Sequence, residues 1–134
     1  MKKEQQQVRE FMLKAGQECP NSPDLVNISI RELRLRLINE ELNELYIALK
    51  HEDKIEVYDA ILDLLVVTIG AANAFGMDLE PGWNEVMRSN MTKFIDGHKR
   101  EDGKWIKGPS YSPANLKPIL DAQSTQDTQQ CFKL

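Results

Sequence analysis

Residues 37–69 read LINEELNELYIALKHEDKIEVYDAILDLLVVTI, and this stretch decides the fold. Two helical patterns meet in it across the charged break His51-Glu52-Asp53-Lys54. Before the break, Ile38, Leu42, Leu45 and Leu49 recur at the spacing of one helix face, and neither Gly nor Pro occurs from Ile30 to Lys50. After it, a helix predicted over residues 55–75 is apolar nearly all round beyond Asp59, which means burial on more than one side. A small domain rarely covers a helix so fully, so the pattern predicts that a second copy of the chain packs against it.

Acidic residues recur on both sides of the break, at Glu40, Glu41 and Glu44 and again at Glu56, Asp59 and Asp63. At about 100° per residue, Glu41 and Glu44 share a flank with Leu37 and Ala48, whereas Glu40 turns toward solvent. Glu56, Asp59 and Asp63 share a stripe with Gly70 and Asn73, small or polar residues where a packed seam would carry Leu. The two helices are therefore expected to lie side by side with their carboxylates converging. Two carboxylates about 4 Å apart repel by roughly 4 kcal/mol at an effective dielectric of about 20, so such a cluster calls for cations. Asp63 is the acid most deeply set in the apolar run, and a carboxylate is almost never fully buried without a partner. Oxygen donors without Cys or suitably spaced His favour Mg²⁺ or Mn²⁺ over zinc. A di-iron bundle is excluded, because it uses Glu three residues before His, and here Ala48 precedes His51 and Ile95 precedes His98.

Outward from this stretch, Val8, Phe11, Met12 and Ala15 mark an amphipathic helix over the first 18 or so residues. A loop containing Pro20 and Pro23 follows, and Ser29 with Glu32 has the form of a capping box opening the second helix. Phe75-Gly76-Met77-Asp78 reads as a helix stop at Gly76 and a new N-cap at Asp78. The fourth helix is expected to turn Leu79, Trp83, Val86, Met87 and Phe94 inward, with Asn90 in the middle of that face and Lys93 on its flank. Residues 96–113 read as irregular chain with a hairpin-like turn at Asp102-Gly103. Residues 121–134 are polar and read as a flexible tail without regular structure, leaving one domain over residues 1–120.

The net charge is −4, with 28% charged residues, and nothing forms the basic footprint of a nucleic-acid binder. Cys19 and Cys131 lie far apart without motif spacing and read as free thiols of a reducing compartment. The most apolar run, residues 60–75, is broken by Asp63, Thr68 and Asn73 and is shorter than the roughly 20 residues of a membrane span. A cytoplasmic protein with no membrane partner is expected.

Glu40-Glu41-x-x-Glu44, Glu56-x-x-Asp59-Ala60-Ile61-Leu62-Asp63, Gly76-Met77-Asp78-Leu79 and Ser89-Asn90-Met91-Thr92-Lys93, in that order, resemble the all-α nucleoside triphosphate pyrophosphohydrolases, a superfamily that includes MazG-like proteins, dimeric dUTPases and phosphoribosyl-ATP pyrophosphohydrolases. The likeness covers roughly residues 31–116, and KWIKGPSYSP at 104–113 is similar to the C-terminal substrate segment of one MazG-like branch. The resemblance implies an all-α, MazG-like four-helix bundle assembled as a homodimer or homotetramer. It implies Mg²⁺-dependent hydrolysis of an NTP or dNTP to the monophosphate and pyrophosphate.

On the same resemblance Glu41, Glu44 and Asp63 match metal ligands, and either Glu41 or Glu44 orients the attacking water. The usual second motif is Glu-x-x-Asp, but Ala60 stands three residues before Asp63; Asp59 is the candidate replacement ligand, with Glu56 a further one. Asn90 and Lys93 match positions that contact phosphates or nucleotide, and Lys104, Lys107 and Tyr111 would close over the substrate as a lid. Trp83 and Trp105 read as packing anchors. The departure at Ala60 keeps a second expectation open, a catalytically weak nucleotide-binding or scaffold protein of the same fold.

Overall fold

The computed structural model describes residues 1–130, with side chains described through residue 124. Regular structure is almost wholly helical, in the order α1 (Lys2–Lys14), α2 (Ile28–Lys50), α3 (Lys54–Ala74), α4 (Leu79–Met91), α5 (Lys93–Asp96), β1 (His98–Lys99), β2 (Trp105–Ile106) and α6 (Lys117–Gln130). The all-α expectation holds. Two compact units divide the chain, Lys2–Met77 and a second that begins at Asp78. Among the described residues no single helix is long and apolar enough to cross a membrane.

In the first unit α2 and α3 form the main helix pair, and α1 packs on α3. Asp53 makes the charged break a tight reversal, because its side chain accepts the N–H groups of Ile55 and Glu56 and so satisfies two otherwise unpaired donors of α3. Small residues let the helices approach. A Cβ placed at Gly70 would meet Met12 Sδ at 3.5 Å and Arg34 Nη1 at 3.6 Å, and Ala48, Ala60, Ala71, Ala72 and Ala74 are all buried. Two polar side chains of this core pair across elements, while Arg34 Nε is buried without a partner. Asn73 accepts from Gln5 Nε2 at 3.0 Å and donates to the Gln5 carbonyl at 3.2 Å, and Arg34 Nη2 donates to Gln17 Oε1 at 2.8 Å. Asn73, expected on the stripe facing the acids of α2, thus serves α1 instead.

In the second unit Asp78 caps α4 by accepting the Glu80 N–H, and the expected hairpin forms between β1 and β2, with His98 opposite Ile106. Three readings are corrected. The cap of α2 is Asn27, whose Oδ1 accepts from both Ile30 N–H and Ser29 Oγ–H; the helix thus starts at Ile28, before the Ser29–Glu32 box would open it, and places Ser29 inside the first turn. Residues 121–130, expected as irregular tail, continue the helix α6, which Gln123 anchors by exchanging two hydrogen bonds with the Asp78 backbone, both 3.0 Å. Trp83, Val86, Met87 and Phe94, expected inward, are exposed. Cys19 is a free thiol as expected, and the fold buries it; Cys131 lies outside the described residues.

Candidate active site

The sequence-predicted site residues fall into two clusters, one in each unit. The carboxylate cluster stands on α2 and α3. Glu41 sits on the half-buried flank of α2, and its Oε2 is buried without any hydrogen-bond partner. Burial pushes the Glu41 carboxyl above its ordinary range, and the charges of Glu44, Asp63, Glu40 and Asp59 push it further, in that order. The structure therefore brings Glu44, Asp63, Glu40 and Asp59 within electrostatic reach of Glu41. The acid that loses solvent is Glu41, not Asp63 as the apolar run of α3 suggested; Asp63, Asp59 and Glu44 are exposed in the chain. A carboxylate oxygen removed from water with no donor is costly unless a cation or proton reaches it.

This donor set fits a hard divalent cation. The donors are oxygen only and one buried oxygen has no partner, which suits a hard cation such as Mg²⁺ or Mn²⁺. Among the described residues no three His, Cys, Asp or Glu side chains already surround a single point, so ion binding requires the exposed acids to turn toward Glu41. Ala60, 4% exposed, fills the position three before Asp63.

The second cluster is basic and aromatic. Asn90 and Lys93 lie one turn apart where α4 passes into α5, and Lys93 Nζ donates to Asn90 Oδ1 at 2.8 Å. The same ammonium stands 5.9 Å from the centre of the Tyr111 ring, and Lys107 Nζ stands 4.9 Å from it. Ser89, buried, donates to the Tyr111 hydroxyl at 3.2 Å. Two cations therefore share one ring in a chain of net negative charge; paired ammonium groups of this kind attract anions. Lys104 sits instead on the exposed β1–β2 turn, where its N–H donates to Asp102 Oδ1.

The segment carrying Lys107 and Tyr111 is a strap tied along α4. Arg88 is held by a two-point pair with Glu85, each contact 2.8 Å, and donates onward to Ser112 Oγ and the Pro113 carbonyl. Ser112 N–H donates to Thr92 Oγ1, and Asn115 N–H to Glu85 Oε1, both at 2.9 Å. Arg88 and the Asn115 N–H hold the Glu85 carboxyl down to about 2. Trp105 Nε1 donates to the Lys93 carbonyl and its ring lies 4.9 Å from that of Phe94, so its expected role as a packing anchor is met. Glu85, Arg88, Ser89 and Asp96 were not legible as site residues. The available signals were the Glu85-x-x-Arg88 spacing of a helical ion pair and the Gly108-Pro109-Ser110 turn signature.

A family model described as phosphoribosyl-ATP pyrophosphohydrolase matches residues 8–90, a range that holds all four acids and ends on Asn90. No curated protein sequence matches the chain.

Proposed function

This chain belongs to the phosphoribosyl-ATP pyrophosphohydrolase family, within the all-α nucleoside triphosphate pyrophosphohydrolase superfamily, and on that premise we propose that it hydrolyses an NTP or dNTP to the monophosphate and pyrophosphate with Mg²⁺ or Mn²⁺. Membership makes it a pyrophosphohydrolase, a hydrolase of phosphoanhydride bonds. The observation that carries the finer reading is the unpartnered buried oxygen of Glu41 amid four further acids.

Glu41, Glu44, Asp59 and Asp63 would hold the cation, which when bound neutralises phosphoryl charge and lowers the pKa of water. Glu41 or Glu44 orients the attacking water and accepts its proton as the new P–O bond forms and the bond to the departing pyrophosphate breaks. Lys93, aimed by Asn90, and Lys107 offset the charge of the phosphates. Tyr111 holds both ammonium groups in one place. Lys104, on the exposed turn, meets an outer part of the substrate. The active form is a homodimer or homotetramer in the cytoplasm, without nucleic-acid or membrane partners. Exposed Leu42, Tyr46, Leu49, Tyr58, Ile61 and Leu65 on α2 and α3 support a covering second copy.

The test is pyrophosphate release from a panel of NTPs, dNTPs and phosphoribosyl-ATP, with Mg²⁺ and with EDTA. The wild type turns over at least one of them with Mg²⁺ alone, and Glu44→Gln and Asp63→Asn each lose about 10²- to 10³-fold in kcat, the scale of removing one charge-stabilising group. No turnover by the wild type, or wild-type rates in both variants, overturns the proposal. Ala60 in place of a carboxylate favours one second reading, a nucleotide-binding or helical scaffold protein with little turnover. That reading expects nucleotide binding without pyrophosphate release.

A further inference from the structure

The strap turns at Gly108-Pro109-Ser110-Tyr111, where Tyr111 N–H donates to the Gly108 carbonyl at 3.2 Å and Pro109 supplies the fixed φ favoured at the second position of such a turn. Lys107 and Tyr111 flank this turn. How closely their side chains meet depends on the turn keeping its shape and its place. One side chain does both. The Asp96 carboxylate, at the end of α5, accepts the Ser110 N–H on both oxygens at 3.1 Å and the Ser110 hydroxyl on Oδ2 at 2.6 Å. The strap backbone lies directly on it, because a Cβ at Gly108 would overlap the Asp96 carbonyl oxygen and Oδ1. Asp96 lies only three residues beyond Lys93, so the same short helix that carries one cation fixes the turn that presents the other.

We propose that Asp96 is the positioning residue of the basic cluster: by capping the 108–111 turn it holds Lys107 and Tyr111 against Lys93, making a preformed seat for a phosphoanhydride chain that needs no metal ion. The strap is then a fixed wall and not a lid. This inference rests on the reading that Lys93, Lys107 and Tyr111 take the substrate's phosphates. An ionised carboxylate forms stronger hydrogen bonds than a neutral acceptor, so Asn at this position keeps part of the cap and Ala keeps none.

The experiment is calorimetric titration of the full chain with inorganic tripolyphosphate in EDTA. The wild type binds, Asp96→Asn binds more weakly and Asp96→Ala weaker still, by about tenfold or more, the scale of a displaced contact. Ser110→Ala, which removes one of the capped donors, weakens binding in the same direction and carries the test if the Asp96 variants fold poorly by circular dichroism. Asp121→Asn, a carboxylate lost from α6, leaves binding unchanged. In the Lys107→Ala background the Asp96→Asn substitution loses most of its effect, because it acts through Lys107. With a substrate that turns over, Asp96→Asn raises KM more than it lowers kcat, a split that general destabilisation does not produce. Wild-type binding that is insensitive to Asp96 and Ser110 overturns the positioning role alone. Absence of wild-type binding overturns it together with the phosphate role of the lysines.

Discussion

Glu41 is the residue on which the electrostatics turn. The acids around it on α2 and α3 are exposed, while its own Oε2 is buried without a hydrogen-bond partner. Without a cation it holds its proton to a higher pH than an ordinary glutamate. A ligand at about 100 times its Kd adds about 2.7 kcal/mol of stability. Mg²⁺ is therefore expected to raise the melting temperature of the wild type by several degrees and that of Glu41→Gln by much less, read by thermal denaturation with and without the ion. An equal shift in both would remove Glu41 from the ligand set. The spacing of Glu41 and Glu44 was legible from helical periodicity, but their difference in burial was not. Burial at position 41 depends on how α3 approaches, and the small residues that set that approach, Ala60 and Gly70, carry no periodic signal of their own.

Among the elements, the helices were legible and the strap was not. Residues 55–75 were expected as a helix and α3 spans Lys54–Ala74, because a continuous apolar run with Asp53 before it and Gly76 after it leaves little choice. The strap's order comes from hydrogen bonds between residues 14 to 30 positions apart, which no local pattern announces. Similarly, α6 lacks an apolar stripe, and its anchor, the Gln123 exchange with Asp78, spans 45 positions. Glu85 gives the strap a pH dependence. Its carboxyl is lowered from 4.5 to about 2 in the folded chain, so its contribution is fully present above the ordinary value and is lost as pH falls from about 4.5 toward 2. The Asn115 amide resonance of the folded wild type is expected to titrate only as pH approaches about 2. In Glu85→Gln it should sit near its released position already at neutral pH and stay there. A wild-type resonance that does not move as pH approaches about 2 would separate Glu85 from the strap.

For the whole molecule, the first unit leaves Leu42, Tyr46, Leu49, Tyr58, Ile61 and Leu65 exposed on its two longest helices. The all-round apolar pattern of α3 anticipated this, since one chain offers too few partners to cover it. Sedimentation at micromolar concentration is expected to give a dimer or tetramer, and Leu65→Glu to shift it toward monomer by setting a charge into a covered apolar face; a monomeric wild type would contradict the assembly. Family, fold and the chain's acids follow from the ordered motifs, whereas the departure at Ala60 puts the weight on chemistry. The most direct test is ³¹P NMR of an NTP incubated with the wild-type protein and Mg²⁺. Nucleoside monophosphate and pyrophosphate are expected in equal amounts, with no reaction in EDTA. Nucleoside diphosphate with orthophosphate, or unchanged triphosphate, would contradict this.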